Sequence, residues 1–234
     1  MYLTMDIGNT AVKWAAFEGD RLADSGYGMP EALIADADRV MACASGGDDA
    51  LEQLATLRPD FEVLRAPYDT LPIDLDYKTP STLGADRVAA ACGAWSLHPA
   101  EASLIIDAGT CITVDYLDAD GTYHGGAIMP GLGMSLQALN TFTAKLPLIE
   151  LGADTAPRIP GRTTEESIVA GTLGATLLAL AGYVTIYRQR SPQLNVVVTG
   201  GDAARLMTGA TSGWQQQPHL TLIGLNEIMT HYEK

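Results

Sequence analysis

The sequence predicts an α/β protein made of two related domains with a cleft between them. Three features support this prediction. The chain opens with three strand-like segments joined by tight turns. The same arrangement begins again about 100 residues later, a period too long for a solenoid. A late β-branched run, Asn195 to Thr199, then ends in a Gly-Gly-Asp turn, where the backbone can approach a ligand closely.

The first half is predicted to combine short strands with helices. Its opening strands are expected at residues 1–5, 11–17 and 21–27, around the turns DIGNT and Glu18-Gly19-Asp20. Further strands are predicted at Arg39 to Ala44 and at Phe61 to Arg65. The Pro-marked segment LPIDLDYKTPSTLGADR then leads into a helix predicted from about Asp86 to Leu97.

The second half repeats the opening of the first. The apolar strand Ser103 to Ile106 precedes DAGTCITVDYLDADGTYHGG, which again predicts strand, turn, strand, turn and strand. An Asp-x-Gly turn therefore follows the first strand of each half. We expect domains at residues 1–100 and 101–234, with Pro99 as a marker of the boundary.

The chain is strongly acidic, with a formal net charge of -14 and a pI near 4.5. Such a surface repels phosphate backbones and anionic headgroups, so we expect no nucleic-acid or membrane partner. Cys43, Cys92 and Cys111 have no CxxC spacing, which argues against disulfides or zinc and predicts buried thiols in a reducing cytosol. The start MYLTMDIGNT lacks the features of a secretory signal, so the expected location is cytoplasmic.

One uncharged stretch, Ile168 to Tyr187, has the 20 residues that a bilayer span needs. It is rich in Ala, Gly and Thr rather than Leu and Ile. Small residues allow close helix packing, so we interpret this stretch as a helix in a soluble core or at a subunit interface.

The first group of candidate functional residues surrounds the turn DIGNT: Asp6, Gly8, Asn9, Thr10 and Lys13. A carboxylate at the end of a strand, a tight Gly turn and a returning Lys can hold a phosphate chain, with Asp6 holding Mg²⁺ through water. The alternative is an ordinary hairpin turn in which Asp and Asn satisfy their own backbone.

The second group has the same layout: Asp107, Gly109, Thr110, Thr113 and Asp115. Two such hairpins predict a clamp for a nucleotide. The chain contains no GxxxxGK[ST] motif and no HRD or DFG set, which disfavours a P-loop kinase or a protein kinase.

The paired hairpins resemble the phosphate motifs of the actin-like, sugar-kinase superfamily, whose two ribonuclease-H-like domains enclose a nucleotide cleft. Further motifs resemble the type III pantothenate kinase family and follow one another over almost the whole chain. They are DIGNTAVK, Tyr77 before TPSTLGADR, IDAGTCITVD, GGAIMPGLGMSLQAL followed by TAKLP, GRTTEESIVAG, and VVVTGGDA.

The resemblance implies transfer of the γ-phosphoryl group of ATP, with Mg²⁺, to the 4′-hydroxyl of pantothenate, the first step of coenzyme A biosynthesis. It implies that Asp86 is the general base, a role that suits a carboxylate beside an acceptor hydroxyl. It assigns Asp107 to a monovalent cation, potassium or ammonium, and implies a homodimer. Its ATP- and phosphate-binding positions are Asp6, Ile7, Gly8, Asn9, Thr10, Ala11, Val12, Lys13 and Thr110. Its pantothenate-binding positions are Tyr77, Gly84, Ala85, Asp86, Arg87 and Thr164.

Some alternatives stay open at this point. Asp86 and Arg87 also suit a helix-start carboxylate followed by an exposed Arg, and Glu165 and Glu166 suit either ligand contacts or the start of a helix. Cys111 stands where the family commonly has Ala, and we interpret it as a small apolar filler rather than a reactive thiol. The four histidines share no metal-ligand spacing, so no chemistry is assigned to them.

Two other functions compete with a pantothenate kinase. One is a kinase of the same superfamily that acts on a sugar or another small acid, against which the GADR element and the short chain count. The other is a nucleotide-binding regulator that keeps the fold without turnover. The presence of both Asp86 and Lys13 favours an enzyme.

Overall fold

A computed structural model describes residues 1–47, 49–68, 70–152, 154–207 and 211–233 of the chain. The chain divides into two compact units. Unit 1 contains Met1–Ser103, Asp115–Gly125 and His219–Lys234, and unit 2 contains Leu104–Val114 and Gly126–Pro218. Division into domains at 1–100 and 101–234 stays a prediction.

The first sheet has five strands in the order β3-β2-β1-β4-β5. Its apolar core includes Leu3, Met5 and Ile7 of the first strand, which are buried. The first strand pairs antiparallel with the second and parallel with the fourth, so it lies at the centre of the sheet. The strands are β1 (Tyr2–Ile7), β2 (Val12–Glu18), β3 (Arg21–Tyr27), β4 (Arg39–Ala44) and β5 (Glu62–Val63).

The second sheet has six strands in the order β11-β10-β7-β8-β9-β6. Leaving β6 aside, this order repeats the first sheet. Three consecutive strands lie side by side, the next strand of the sheet pairs with the first of them, and the last strand pairs with that neighbour. The repeat predicted from the two Asp-x-Gly turns is thus present in the topology. The strands are β6 (Asp74–Leu75), β7 (Ser103–Ala108), β8 (Cys111–Leu117), β9 (Thr122–Pro130), β10 (Asn195–Thr199) and β11 (Gln215–Gln216).

Eight α-helices are described within the residues given above. They are α1 (Glu31–Asp36), α2 (Asp49–Leu57), α3 (Ala85–Leu97), α4 (Leu132–Thr141), α5 (Thr164–Val169), α6 (Ala175–Arg190), α7 (Ala203–Leu206) and α8 (Leu220–His231). The predicted helix from Asp86 to Leu97 matches α3 to within one residue. The strand predicted at Phe61 to Arg65 is shorter, since only Glu62 and Val63 pair with β4.

Helix α3 packs closely against α8 in unit 1. A Cβ atom on Gly224 would lie 1.7 Å from the carbonyl oxygen of Ala89, and one on Gly93 would lie 2.3 Å from that of Leu220. The two backbones can approach this closely only because both positions are glycine. This packing fixes α3, which carries Asp86 in its first turn.

The uncharged stretch from Ile168 to Tyr187, which is predicted to form a packed helix, is helical in the structure. It spans α5, a π-helical turn at Ala170–Gly174 and α6. By length and composition this helix, Thr164–Arg190, could cross a membrane, and 44% of its most apolar window is buried within the protein. A partly buried helix of a water-soluble protein meets the same criteria, so length and composition alone do not assign a membrane span.

Candidate active site

Asp6 is the penultimate residue of β1 and lies between polar residues on both neighbouring strands. Its register partners are Lys13 on β2 and Cys43 on β4. The Cys43 thiol donates a hydrogen bond to Asp6 Oδ1 over 3.7 Å. Burial raises the pKa of Asp6, the charge of Lys13 opposes this, and the charge of Asp86 adds to it. The carboxylates of β1 and α3 are therefore close enough for their charges to interact.

The turn after β1 presents Asn9, Thr10 and Ala11 at the surface. The Gly8 amide closes the turn by donating to the Ala11 carbonyl over 3.0 Å. Asn9 Nδ2 donates to the carbonyl of Ser45 over 3.0 Å and so ties the turn to the loop after β4. This side chain links two loops rather than capping its own turn.

Asp86 is the second residue of α3 and is half-buried. Its Oδ1 accepts a hydrogen bond from the backbone amide of Arg87 over 2.9 Å. Gly84 precedes the helix as its N-terminal cap, and a Cβ atom there would lie 2.5 Å from Asp86 Oδ1. The carboxylate can fold back over the start of the helix because position 84 has no side chain.

Arg87 is buried, with 8% of its surface exposed, so the alternative of an exposed Arg after Asp86 is wrong. Its partner is Asp115 on β8, which is 1% exposed. Arg87 Nη2 donates to Asp115 Oδ1 over 2.5 Å, and Nε lies 3.1 and 3.2 Å from the two carboxylate oxygens. Burial lowers the pKa of Arg87, but the hydrogen bonds and charge of Asp115 raise it overall. The pair is a buried, hydrogen-bonded ion pair.

Two tyrosines complete this buried cluster. The Tyr123 hydroxyl donates a hydrogen bond to Asp115 Oδ1 over 2.7 Å. Burial together with the charge of Asp115 raises the pKa of Tyr123. The Tyr77 ring lies 6.2 Å from that of Tyr123, and the proximity of the Tyr77 side chain to Arg87 raises the pKa of Arg87 further. Four of the predicted site residues, Asp6, Tyr77, Asp86 and Arg87, thus fall in one region of unit 1.

Asp115 belongs to the same predicted hairpin group as Asp107, but in the structure its side chain pairs with Arg87. Asp115 lies within a strand, and the strand pattern of the sequence does not indicate which residue its side chain contacts. Tyr123 and Tyr68, which border the same region, were not singled out at all.

His124 lies between Asp76 and Asp118, with its ring nitrogens 3.2 and 2.7 Å from their carboxylates.

Asp107 is the penultimate residue of β7, the same place that Asp6 has in β1. Gly200, in the turn after β10, approaches it so closely that a Cβ atom would lie 2.5 Å from Asp107 Oδ1. Gly200 also has φ of 94°, a conformation that favours glycine. The Asp202 amide donates to the Ala108 carbonyl over 2.9 Å, which joins this turn to the end of β7.

Thr110 is exposed in the turn between β7 and β8. Its carbonyl accepts a hydrogen bond of 3.1 Å from the amide of Gly131, the residue that caps the N-terminus of α4. Cys111, next along the chain, is exposed, so the prediction that all three cysteines are buried is wrong for this one. Cys111 is the first residue of β8 and follows the turn directly, whereas Cys43 and Cys92 lie inside elements and are buried.

Thr164 is the exposed first residue of α5 in unit 2. The preceding Thr163 accepts a hydrogen bond from the Glu166 amide over 3.1 Å, while Glu166 Oε2 accepts one from the Arg162 amide over 2.6 Å. This is a capping arrangement, which supports a helix-start role for Glu166.

The donor atoms suit the ions that the resemblance implies. Asp6 offers carboxylate oxygens beside the charge of Asp86, and Mg²⁺ is held in proteins by one or two carboxylates together with water. Asp107 offers carboxylate oxygens close to Gly200, near the Ala108 carbonyl, and hard oxygen atoms of this kind suit a hard cation.

A comparison with known protein families settles the family of this chain. The family described as type III pantothenate kinase matches residues 39–185. The chain belongs to the type III pantothenate kinase family. A type III pantothenate kinase of Phocaeicola vulgatus is 36% identical over 251 residues, which cover 100% of both chains. Membership of this family, predicted from GADR and from the other motifs that follow one another along the chain, is confirmed.

Solved structures show the same fold. A Baf family transcriptional activator from Campylobacter jejuni, described as putative, has a TM-score of 0.64 and 19% identity, covering 99% of this chain and 98% of its own. A putative 2-dehydro-3-deoxygalactonokinase from Sinorhizobium meliloti has a TM-score of 0.57 and 13% identity, covering 100% and 98%. At these identities the likeness shows the fold alone, and it confirms the predicted α/β, actin-like class.

Proposed function

We propose that this protein transfers the γ-phosphoryl group of ATP to the 4′-hydroxyl of pantothenate. The observation that carries the proposal is the half-buried Asp86 carboxylate at the start of α3, in a chain that belongs to the type III pantothenate kinase family over its length. Phosphoryl transfer needs an acceptor hydroxyl held in line and relieved of its proton, and a carboxylate fixed at a helix start can accept that proton.

The proposed roles of the remaining residues follow their positions. The turn from Asp6 to Lys13 binds the phosphates, with Lys13 as a point charge, and Thr110 contacts ATP. Asp6 would hold Mg²⁺ through water, and the ion supplies charge neutralisation at the phosphates. Asp107 would hold a monovalent cation, potassium or ammonium.

We assign the pantothenate site to the side chains of Tyr77 and Thr164 and to the backbone of Gly84 and Ala85. The charged residues Asp86 and Arg87, which follow Ala85, complete the assignment. Asp115 accepts hydrogen bonds from Nε and Nη2 of Arg87. A two-pronged contact from Arg87 to the pantothenate carboxylate would compete with that pair, so we assign the contact to Nη1. Asp115 then orients the guanidinium group toward the substrate.

The direct test is phosphorylation of pantothenate by the purified protein with ATP and Mg²⁺, in potassium and in sodium buffers. We expect turnover that is several-fold faster in potassium, because an ion at Asp107 offsets charge between acidic loops. Turnover in both buffers at equal rates would contradict the cation site but keep the substrate. A folded protein that binds ATP and turns over in neither buffer would favour the regulator or another acceptor.

We also propose that the protein is a cytoplasmic homodimer whose interface includes the outer face of α6. Leu178 and Ile186 lie two turns apart on this face and are 65% and 52% exposed, while Leu180 and Val184 on the other face are buried. Exposed apolar side chains on a helix whose opposite face is buried indicate a surface that another chain covers.

Leu178→Glu is expected to convert the dimer to a monomer, because it places a charge in an apolar interface. Light scattering after size-exclusion chromatography measures the mass directly. Leu57→Glu, at the end of α2 and 37% exposed, is the matched control and should stay dimeric. A Leu178→Glu protein with the wild-type mass would exclude this face.

A further inference from the structure

Tyr68 connects the segment before α3 to the region of Asp86. Its hydroxyl donates a hydrogen bond of 2.7 Å to the carbonyl of Leu83. Leu83 immediately precedes Gly84, the N-terminal cap of α3, and Asp86 follows two residues later. The hydroxyl therefore holds the peptide group from which the first turn of α3 begins.

The two neighbouring peptide groups are held by hydrogen bonds from within their own segment. The Leu83 amide donates to the Pro80 carbonyl over 3.2 Å, and the Val88 amide donates to the Gly84 carbonyl over 3.2 Å as the first bond of α3. Both are bonds within the chain segment 80–88. The Tyr68 bond comes from a residue 15 positions away, so it fixes where the helix start lies rather than merely its helical form.

Tyr68 lies close enough to Asp86 for the two groups to interact electrostatically. Burial, then the charges of Asp86 and Cys43, raise the pKa of Tyr68 to about 12. The hydroxyl consequently remains protonated at neutral pH and acts as a donor to Leu83 throughout the physiological range. A neutral phenol also adds no negative charge beside the Asp86 carboxylate.

We propose that Tyr68 is a positioning residue for the general base, holding Asp86 in line with the acceptor hydroxyl through Leu83 and Gly84. The proposal rests on the proposed function, because it takes Asp86 as the base. Proton transfer needs the base within hydrogen-bond reach of the hydroxyl, and a displacement of about 1 Å in such a site can lower the rate by about 100-fold. Tyr68 itself touches no reacting atom in this proposal.

The test begins with Tyr68→Phe, which keeps the ring and removes the hydroxyl. We expect kcat with pantothenate to fall by at least about tenfold, with KM for ATP unchanged, because the phosphate-binding turn after β1 does not depend on Leu83. Tyr2→Phe is the matched control, since the Tyr2 hydroxyl donates to Glu233 elsewhere in unit 1. It should turn over like the wild type.

A double-mutant cycle separates positioning from a general loss of structure. If Tyr68 acts through Asp86, Tyr68→Phe should lower the residual kcat by less than about twofold once Asp86 is already Asn. An equal loss in both backgrounds, or a Tyr68→Phe enzyme with wild-type kcat, would overturn the proposal.

Hydrogen exchange tests, independently of turnover, whether the Tyr68 hydroxyl fixes the start of α3. The amides of residues 83–88 should exchange at least about fivefold faster in Tyr68→Phe than in the wild type, while those of 2–7 in β1 stay unchanged. If the wild-type protein does not phosphorylate pantothenate, the proposed function fails, and faster exchange at 83–88 would show only that Tyr68 fixes the start of α3. Unchanged exchange at 83–88 would overturn it.

Discussion

Asp86→Asn is expected to lower kcat by about 100- to 10,000-fold, the range that a positioned general base contributes. Asparagine has nearly the shape of aspartate and can still accept the hydrogen bond from the Arg87 amide through its side-chain oxygen. It cannot take up the proton of the acceptor hydroxyl. The loss should appear in kcat and kcat/KM together, because the carboxylate acts in the transition state rather than in binding.

Steady-state kinetics with pantothenate and isothermal titration with ATP measure the two parts of this prediction. ATP should bind the variant at least as tightly as the wild type, since the negative charge beside Asp6 is removed. Asp36→Asn, an exposed residue at the end of α1, is the matched control. If kcat of Asp86→Asn stays within threefold of the wild type, Asp86 is not the base, although the fold and the family stand.

Much of this fold could be predicted because local patterns decide it. Tight turns with Gly and Asp between short apolar segments define hairpins, and a repeated Asp-x-Gly turn marks a repeated domain. The two carboxylates at equivalent strand positions, Asp6 and Asp107, follow from this repeat. The start of α3 after Gly84 follows from a Pro-marked loop leading into an Ala-rich helix.

The side-chain partners could not be predicted because they depend on packing between distant segments. Arg87 and Asp115 are 28 positions apart, and only the arrangement of α3 against β8 makes them an ion pair. The hydrogen bond from Tyr68 to Leu83 likewise requires the loop after β5 to return to the start of α3. In each case the residue type was visible in the sequence, but its partner was not.

Replacing Asp115 with asparagine is expected to lower the free energy of unfolding by about 3–5 kcal/mol. The substitution removes the negative charge that compensates Arg87, which is 8% exposed, and leaves a buried guanidinium without a counterion. The same change weakens the hydrogen bond from the Tyr123 hydroxyl, which loses a charged acceptor. Stability and the orientation of the proposed substrate contact should therefore decline together.

Urea denaturation at one fixed protein concentration measures the loss as a lower midpoint. Asp60→Asn removes an exposed carboxylate that pairs with the half-buried Arg58, and it should shift the midpoint little because solvent screens the Asp60 charge. An Asp115→Asn midpoint equal to that of Asp60→Asn would mean that Arg87 finds other compensation.

Replacing both Arg87 with Met and Asp115 with Leu should recover stability relative to Asp115→Asn, because no unpaired charge then remains buried. Such a variant should still lack normal pantothenate turnover, which would separate the role of the pair in stability from the role of Arg87 at the substrate.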